Sequence, residues 1–111
     1  GALMAWLRPI PVRLLPNSCL VREPAADGGF GEPRAISRVR FERAQSVVAD
    51  AHRSADAGAG TLFVDAVTSA GAFEIPVGSR VEVDGRSYVA SRVARFEGFN
   101  GHVHHWEVEL R

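Results

Sequence analysis

The stretch Arg80-Val81-Glu82-Val83-Asp84-Gly85-Arg86 decides the fold. Val81 and Val83 alternate with charged residues, a pattern typical of a strand with one buried face. Asp84-Gly85 follows, and both positions tolerate positive φ, so the pair indicates a two-residue β-hairpin. The sequence therefore predicts two antiparallel strands joined at Asp84-Gly85, and the second of them continues to Glu97.

Similar patterns on either side of this hairpin predict four more strands, and Gly98–Gly101 is a second hairpin loop. The predicted strands are Ser18–Glu23, Ile36–Arg43, Thr61–Asp65, Arg80–Asp84, Arg86–Glu97 and His102–Leu110. The residues predicted to share the inward faces are Cys19, Val21, Val39, Phe41, Leu62, Val64, Val81, Val83, Trp106, Val108 and Leu110. The expected fold class is mostly β: a small single-domain β-barrel or sandwich of about six antiparallel strands.

The N-terminal residues differ in character from this predicted barrel domain, 18–111. Gly1-Ala2-Leu3 precede Met4, and we interpret residues 1–3 as the remnant of an expression tag. Residues 4–17 contain three prolines, which prevent a helix and predict an extended arm. We expect this arm to lay Trp6, Ile10 and Leu14 on a neighbouring subunit or on its own barrel.

Two connections stand out by composition. Pro24–Pro33 contains Asp27-Gly28-Gly29 and is predicted to be a flexible loop. Ala44–Gly60 is rich in alanine and glycine and is long for a connection in a compact domain. Long loops of this kind are usually functional or disordered.

The overall charge and the single cysteine limit the function classes. Thirteen arginines balance 13 acidic residues, with no lysine, which argues against a protein whose main task is to grip duplex DNA. No apolar run approaches a membrane span or a secretion signal, so no membrane partner is expected. Cys19 has no second cysteine to pair with, which indicates synthesis in a reducing compartment.

The best candidate chemical site is the histidine run near the C-terminus. His102 and His104 are two apart on a predicted strand, so they could share a metal, with His105 adjacent and His52 joining from the long loop. Exposed histidines at a hairpin exit explain the same pattern. His104 would then pack near Trp106 while the others meet solvent or a carboxylate. We predict no metal and no cofactor.

Catalytic arrangements are weak in this sequence. Glu107 and Glu109 are predicted to lie on the outer face, where a raised pKa is not expected. Cys19 lies in an apolar strand, where a buried thiol is inert. Gly58-Ala59-Gly60 precedes a strand, whereas a phosphate cradle precedes a helix. We therefore predict that the protein is not an enzyme.

Nucleic-acid binding by a small barrel requires exposed aromatic residues flanked by basic ones. A faint version of this pattern exists, and it consists of Tyr88, Phe96 and Phe99 with Arg86, Arg92 and Arg95. The interpretation we favour is that the aromatic residues belong to the core and the arginines to a solvated face.

Several short motifs occur in an order that resembles the phage minor capsid protein family of siphophages and prophages, which is similar to head-closure, or stopper, proteins. The most specific are Leu62-Phe63-Val64-Asp65, followed shortly by Ser69, and the terminal His104-His105-Trp106-Glu107-Val108-Glu109-Leu110. The others are Ile10-Pro11, Ile36-Ser37-Arg38-Val39-Arg40-Phe41, Val77-Gly78-Ser79-Arg80-Val81 and Val83-Asp84-Gly85.

The resemblance implies a β-barrel subunit that forms a ring below the portal and adaptor, retains packaged DNA and offers a docking surface to the tail. Its expected partners are portal and adaptor ring proteins, tail-completion or tail proteins, and further copies of itself, with DNA only nearby. It would be made in the bacterial host cytoplasm and end in the virion. In stopper proteins a long loop narrows the DNA channel, and the matching segment here is Ala44–Gly60. The interaction residues expected there are Arg43, Asp50, His52, Arg53 and Asp56.

Two alternatives to this head–tail connector remain open at the level of sequence. One is a small-barrel module that binds nucleic acid or peptide. The other is a metal-dependent enzyme that uses His102, His104 and His105.

Overall fold

Alternating apolar and polar side chains form six strands that close into one antiparallel barrel. The structure, a computed structural model, describes residues 8–44 and 58–111. The strands are β1 (Asn17–Arg22), β2 (Arg34–Arg43), β3 (Gly60–Asp65), β4 (Arg80–Val83), β5 (Arg86–Glu97) and β6 (Val103–Leu110). Around the barrel they follow the order β1-β2-β3-β6-β5-β4. The predicted fold class is confirmed, and the predicted strand ends differ from these by at most two residues.

The core is made of the inward faces that the alternation predicts. Its buried members are Cys19, Val21, Ile36, Val39, Phe41, Leu62, Val64, Ile75, Val81, Val83, Ala90, Trp106, Val108 and Leu110. Burial of each medium-sized apolar side chain contributes about 1.5–3 kcal/mol, so this set is the main source of stability. All eleven predicted inward residues belong to it.

Strand β2 departs from strict alternation. Ile36 and Val39 are both fully buried although they are three residues apart. Between them Arg38 has a φ of 60°, and the β1–β2 register shifts at Asn17/Ser18. An extra residue of this kind in one strand is a β-bulge, which turns the following side chains by one position. The bulge therefore places Ile36 in the core, whereas the sequence predicted it only at the entry of the strand.

The pairing register defines two ends of the barrel. We call one the Arg43 end, because there Arg43 pairs with Gly60, and Gly60 with Leu110. The Asp84-Gly85 turn lies at this same end, with φ of 54° and 74°, as the hairpin prediction requires. We call the other the hairpin end, because there Glu97 pairs with Val103 beside the second hairpin loop.

The N-terminal segment runs between these two ends. Ile10 bonds to Asp65 near the hairpin end, and Asn17 begins β1 at the Arg43 end. Val12–Leu14 forms one 3₁₀ turn after Pro11, which the predicted extended arm did not include. Leu15 is buried, whereas Leu14 is 42% exposed. Leu15 thus anchors the segment, and Trp6 lies outside the described residues.

The connection between β1 and β2 is an ordered hairpin, not the predicted flexible loop. Pro24 and Phe30 form a β-bridge, and the Gly31 N–H donates to the Glu23 carbonyl at 2.8 Å. The Asp27 carboxylate accepts from the Gly29 N–H at 2.9 Å, so the aspartate of this turn stabilises it locally.

Candidate assembly surface at the hairpin end

Asp65 organises the hairpin end of the barrel. Its side chain is fully buried, and one carboxylate oxygen accepts from the Ile10 N–H at 2.9 Å. The other accepts from the N–H groups of Val67 at 2.9 Å and Thr68 at 2.8 Å. A buried carboxylate needs such donors, because an unpaired charge in the interior is costly. Asp65 therefore ties the N-terminal segment to the connection that leaves β3.

Ser69 completes this turn and joins it to the bulge of β2. Its hydroxyl accepts from the Asp65 N–H at 2.9 Å and donates to the Arg38 carbonyl at 2.6 Å. Ala70 then exchanges two backbone hydrogen bonds with Ser37. The spacing from Asp65 to Ser69 thus has a structural cause: one side chain caps the turn and the other holds the bulge.

A second cluster closes the barrel beside Trp106. The Arg95 guanidinium donates two hydrogen bonds to the Glu74 carboxylate, at 2.6 and 2.8 Å. The Trp106 indole N–H donates to the same carboxylate at 2.9 Å. These donors, the Arg95 bonds first, lower the pKa of Glu74 from its ordinary 4.5 to about 2. Ile75 beside Glu74 is buried, so the cluster fixes the crossing chain over the core.

His104 and His105 form hydrogen bonds at the hairpin end. His104 Nε2 lies 2.7 Å from the Arg8 carbonyl oxygen, and His104 Nδ1 lies 2.9 Å from His105 Nδ1. His105 Nε2 lies 3.0 Å from a Glu107 carboxylate oxygen. The His105 ring also stacks on Phe96, with centroids 4.7 Å apart and planes 4° apart.

This arrangement differs from the shared metal site considered from the sequence. The ring nitrogens of His104 and His105 are already hydrogen-bonded, and the His102 side chain is exposed in the hairpin. No group of three or more potential metal-ligating side chains occurs within residues 8–44 and 58–111. His52 lies outside that part of the chain.

A shallow groove of about 140 Å³ opens beside Asp65, lined by Pro9, Val67, Asn100, Val103 and His104 among others. Val67 at its rim and Phe99 in the neighbouring hairpin are each 76% exposed. Exposed apolar side chains that cluster beside such a groove are typical of protein–protein contact surfaces. We call this groove and its rim the hairpin-end surface.

Of the interaction residues predicted for the long loop, the structure describes Arg43, which lies at the opposite end of the barrel. Arg43 is exposed as the last residue of β2. Asp50, His52, Arg53 and Asp56 fall outside the described residues. The described flanks converge tightly, because the Ala44 N–H donates to the Ala59 carbonyl at 2.8 Å and the Ala59 N–H to the Leu110 carbonyl at 2.6 Å.

The residues considered for catalysis lie in the core or in contacts on the outer face of the barrel. Burial raises the pKa of the Cys19 thiol to about 12, so it stays protonated. Glu109 lies 3.6 Å from Arg92 on the outer face, and Glu107 is bound by His105. Each of these two carboxylates therefore has a partner on the barrel surface.

The aromatic residues considered for nucleic-acid binding do not share one site. Tyr88 packs against Phe41, with ring centroids 5.2 Å apart, and is part of the barrel interior. Phe96 and Phe99 are exposed, so the interpretation that all three belong to the core is wrong for these two. Of the arginines, Arg95 is held by Glu74 and Arg92 lies beside Glu109.

Comparison with known protein families decides the class of protein. A family model described as minor capsid protein matches residues 25–110, which includes β2 to β6. The chain belongs to the minor capsid protein family. It is therefore a structural protein of the phage virion. No curated protein and no solved structure matches the chain significantly.

Sequence reasoning missed the roles of several residues in this minor capsid protein. Asp65 and Ser69 were noted only as parts of a motif, although the step from strand to Asx turn gives the signal for their role. Glu74 and Arg95 carry no local signal, because they meet 21 residues apart in sequence. Within the described residues, no helix is long and apolar enough to cross a membrane.

Proposed function

We propose that this minor capsid protein is a head–tail connector subunit of the head-closure type. Copies of it form a ring below the portal and adaptor, retain the packaged DNA and present a docking surface to the tail. Its partners are portal and adaptor proteins, tail-completion or tail proteins, and its own neighbours in the ring. DNA is near the protein but is not its main ligand.

The observation that supports this proposal most is a closed barrel with two differently built ends in a chain of this family. Closure satisfies the strand edges within one subunit, so assembly uses loops and outer faces. A ring requires a head-to-tail contact between two different surfaces. The two ends and the N-terminal segment provide such different surfaces.

The Arg43 end is the side that we assign to the channel. β2 ends and β3 begins at this end, with Arg43 exposed, so the Ala44–Gly60 connection starts and finishes here. A segment anchored at both sides by β2 and β3 can reach a ring axis without disturbing the core. The hairpin-end surface and the N-terminal segment then remain for neighbouring subunits.

Assembly on a template tests the ring. We expect purified protein to be monomeric alone and to add a ring of density when mixed with portal–adaptor complexes, as seen by negative-stain electron microscopy. Many weak repeated contacts explain why the template is needed. Absence of added density with correctly folded protein and intact portal–adaptor complexes would count against the connector role.

The channel assignment has its own test in phage particles. Replacing Asp50, His52, Arg53 and Asp56 by serine should leave the barrel folded and yield heads that package DNA and then lose it. The matched control replaces Glu32 and Glu82 by serine, both exposed outside this connection, and should retain DNA. Equal DNA retention by both sets of particles would contradict the channel assignment while leaving the ring untouched.

A further inference from the structure

His104 and His105 link the N-terminal segment to β6 through an unbroken series of hydrogen bonds. The series begins at the Arg8 carbonyl, 2.7 Å from His104 Nε2, and continues over the 2.9 Å between the two Nδ1 atoms. It ends at the Glu107 carboxylate, 3.0 Å from His105 Nε2. Stacking on Phe96 sets the plane of the His105 ring, so the direction of its two nitrogens is fixed.

Counting hydrogens shows what this series requires. The Arg8 carbonyl only accepts, so His104 Nε2 must carry a hydrogen. The Glu107 carboxylate also accepts, so His105 Nε2 must carry another. The two Nδ1 atoms need a third hydrogen between them. Two neutral imidazoles hold only two hydrogens, so the complete series exists only when the pair carries one additional proton.

We propose that His104 and His105 form a proton-dependent latch that holds the N-terminal segment against the barrel. The latch is complete when the pair shares three hydrogens and is weakened when it holds two. This property belongs to the single chain and does not depend on the connector role.

The charged and titratable groups around the pair are compatible with a single positive charge. Glu107 on β6 binds it directly, and Asp65 on β3 pairs with His105 across the sheet. On β5, Glu97 lies opposite Val103, and Arg95 is neutralised by Glu74. His102 lies two residues before His104 in the hairpin, and the N-terminal segment contributes Arg8. The additional proton is shared within the pair, where it makes the hydrogen bond to the Glu107 carboxylate charge-assisted.

Loss of the proton has a defined structural consequence. One bond of the series must break, and His105 keeps its hydrogen on the side of the Glu107 carboxylate because that bond is charge-assisted. Either His104 then releases the Arg8 carbonyl, or the two Nδ1 lone pairs face each other and the rings separate. The first outcome releases the segment, and the second leaves it held by a His104 ring that His105 no longer fixes. The latch is therefore closed at lower pH and opens as the pH rises.

Nuclear magnetic resonance on the whole chain tests this directly. Imidazole ¹⁵N spectra at about pH 6 should show both Nε2 atoms of the pair protonated and one hydrogen shared by the Nδ1 atoms. The backbone N–H of Ile10, which donates to Asp65 at 2.9 Å, reports how firmly the segment is held. Raising the pH to about 8.5 should reduce its exchange protection about tenfold, once the base-catalysed intrinsic rate is divided out.

Two variants and one internal reference separate the latch from general stability. His105→Gln should make Ile10 protection independent of pH, whereas His102→Gln, outside the series, should behave like wild type. The Leu62 amide in β3 should keep its protection throughout, because the barrel stays folded. Two independently titrating imidazoles, or Ile10 protection that does not change with pH in the wild type, would overturn the proposal even if the variants did not fold.

Discussion

Trp106 belongs to two environments at once: its ring packs in the core and its indole N–H donates to Glu74. Trp106→Ala should lower the free energy of unfolding by about 3–5 kcal/mol, because it removes a large buried side chain. Trp106→Phe keeps an aromatic ring and loses the hydrogen bond. We expect a cost nearer 1–2 kcal/mol for this smaller change. Urea denaturation measures both, and a loss below about 1 kcal/mol for the alanine variant would mean that the tryptophan is not a core residue.

Glu74 should make the stability of the barrel depend on pH in the acid range. Its pKa is lowered from 4.5 to about 2, chiefly by Arg95. A lowered pKa means that the ionised form is favoured by folding, so the contribution is present above pH 4.5 and lost as the pH falls toward 2. The contribution is small, because the Glu74 and Arg95 side chains are 43% and 51% exposed.

Glu74→Gln removes this titration while it preserves the size of the side chain. Denaturation midpoints measured between about pH 2 and pH 5 should decline less steeply for this variant than for wild type. Glu82→Gln is a suitable control, because Glu82 is exposed on β4 away from the cluster. Identical pH profiles for all three proteins would show that the Glu74 bonds do not form in solution.

Individual residues were predictable where their role follows from their neighbours in sequence. The valines of β4 were assigned inward from alternation alone, and both are buried. Asp65 was not recognised as the residue that holds the N-terminal segment, because Ile10 is 55 positions away. Partners at such separations are set by the closure of the barrel, which a local pattern does not contain.

At the level of strands, Gly60 is the described glycine whose added Cβ would lie closest to other atoms, the nearest being the Glu42 carbonyl oxygen. A Cβ at this position would lie 2.8 Å from the Phe41 ring and 2.9 Å from Arg43 Cα. Gly60→Ala should therefore push β3 away from β2 and cost about 1–3 kcal/mol. Gly31→Ala is the matched control, since its Cβ would meet only the Glu23 carbonyl at 3.7 Å. Thermal unfolding distinguishes the two variants. Equal midpoints would mean that β2 and β3 are not tightly packed at Gly60.

The strand positions were predictable because turn residues mark the ends of the strands. The β2 bulge was not predictable. Asp84-Gly85 specifies its hairpin with two adjacent residues, and the observed φ values agree. Arg38 adopts positive φ without any turn residue nearby. Its carbonyl is held by Ser69 from a different connection, so tertiary bonding overrides the local preference of arginine. The core position of Ile36 follows from that bond and not from the alternation.

For the whole molecule, the family and the fold were both accessible from sequence, because the order of several weak motifs is more specific than any one of them. The minor capsid match over residues 25–110 confirms the family. The surface could not be predicted in the same way. Phe96 and Phe99 were expected in the core and are exposed, because Phe96 follows the register shift of β5 at Ala90/Arg92 and Phe99 lies in the second hairpin loop.

The balance of charge over the whole molecule leads to a last prediction, on DNA. The chain contains 13 arginines and 13 acidic residues. Some of them form ion pairs, as in Arg95–Glu74 and Arg34–Glu23. The formal net charge is zero, so the molecule has no excess of basic residues to displace counterions from phosphate. Binding to a short duplex should be no tighter than about 10 µM near physiological salt, with a weak dependence on salt.

Fluorescence anisotropy with a labelled duplex and a labelled single strand at several salt concentrations measures this. A dissociation constant near or below about 1 µM that persists at physiological salt would favour a nucleic-acid-binding module over a connector. In that case Arg92→Ala and Phe96→Ala should each weaken binding, because Arg92 and Phe96 lie on the same outer face of β5. A connector subunit instead meets DNA only in the channel of its ring, at an effective concentration that makes intrinsic affinity unnecessary.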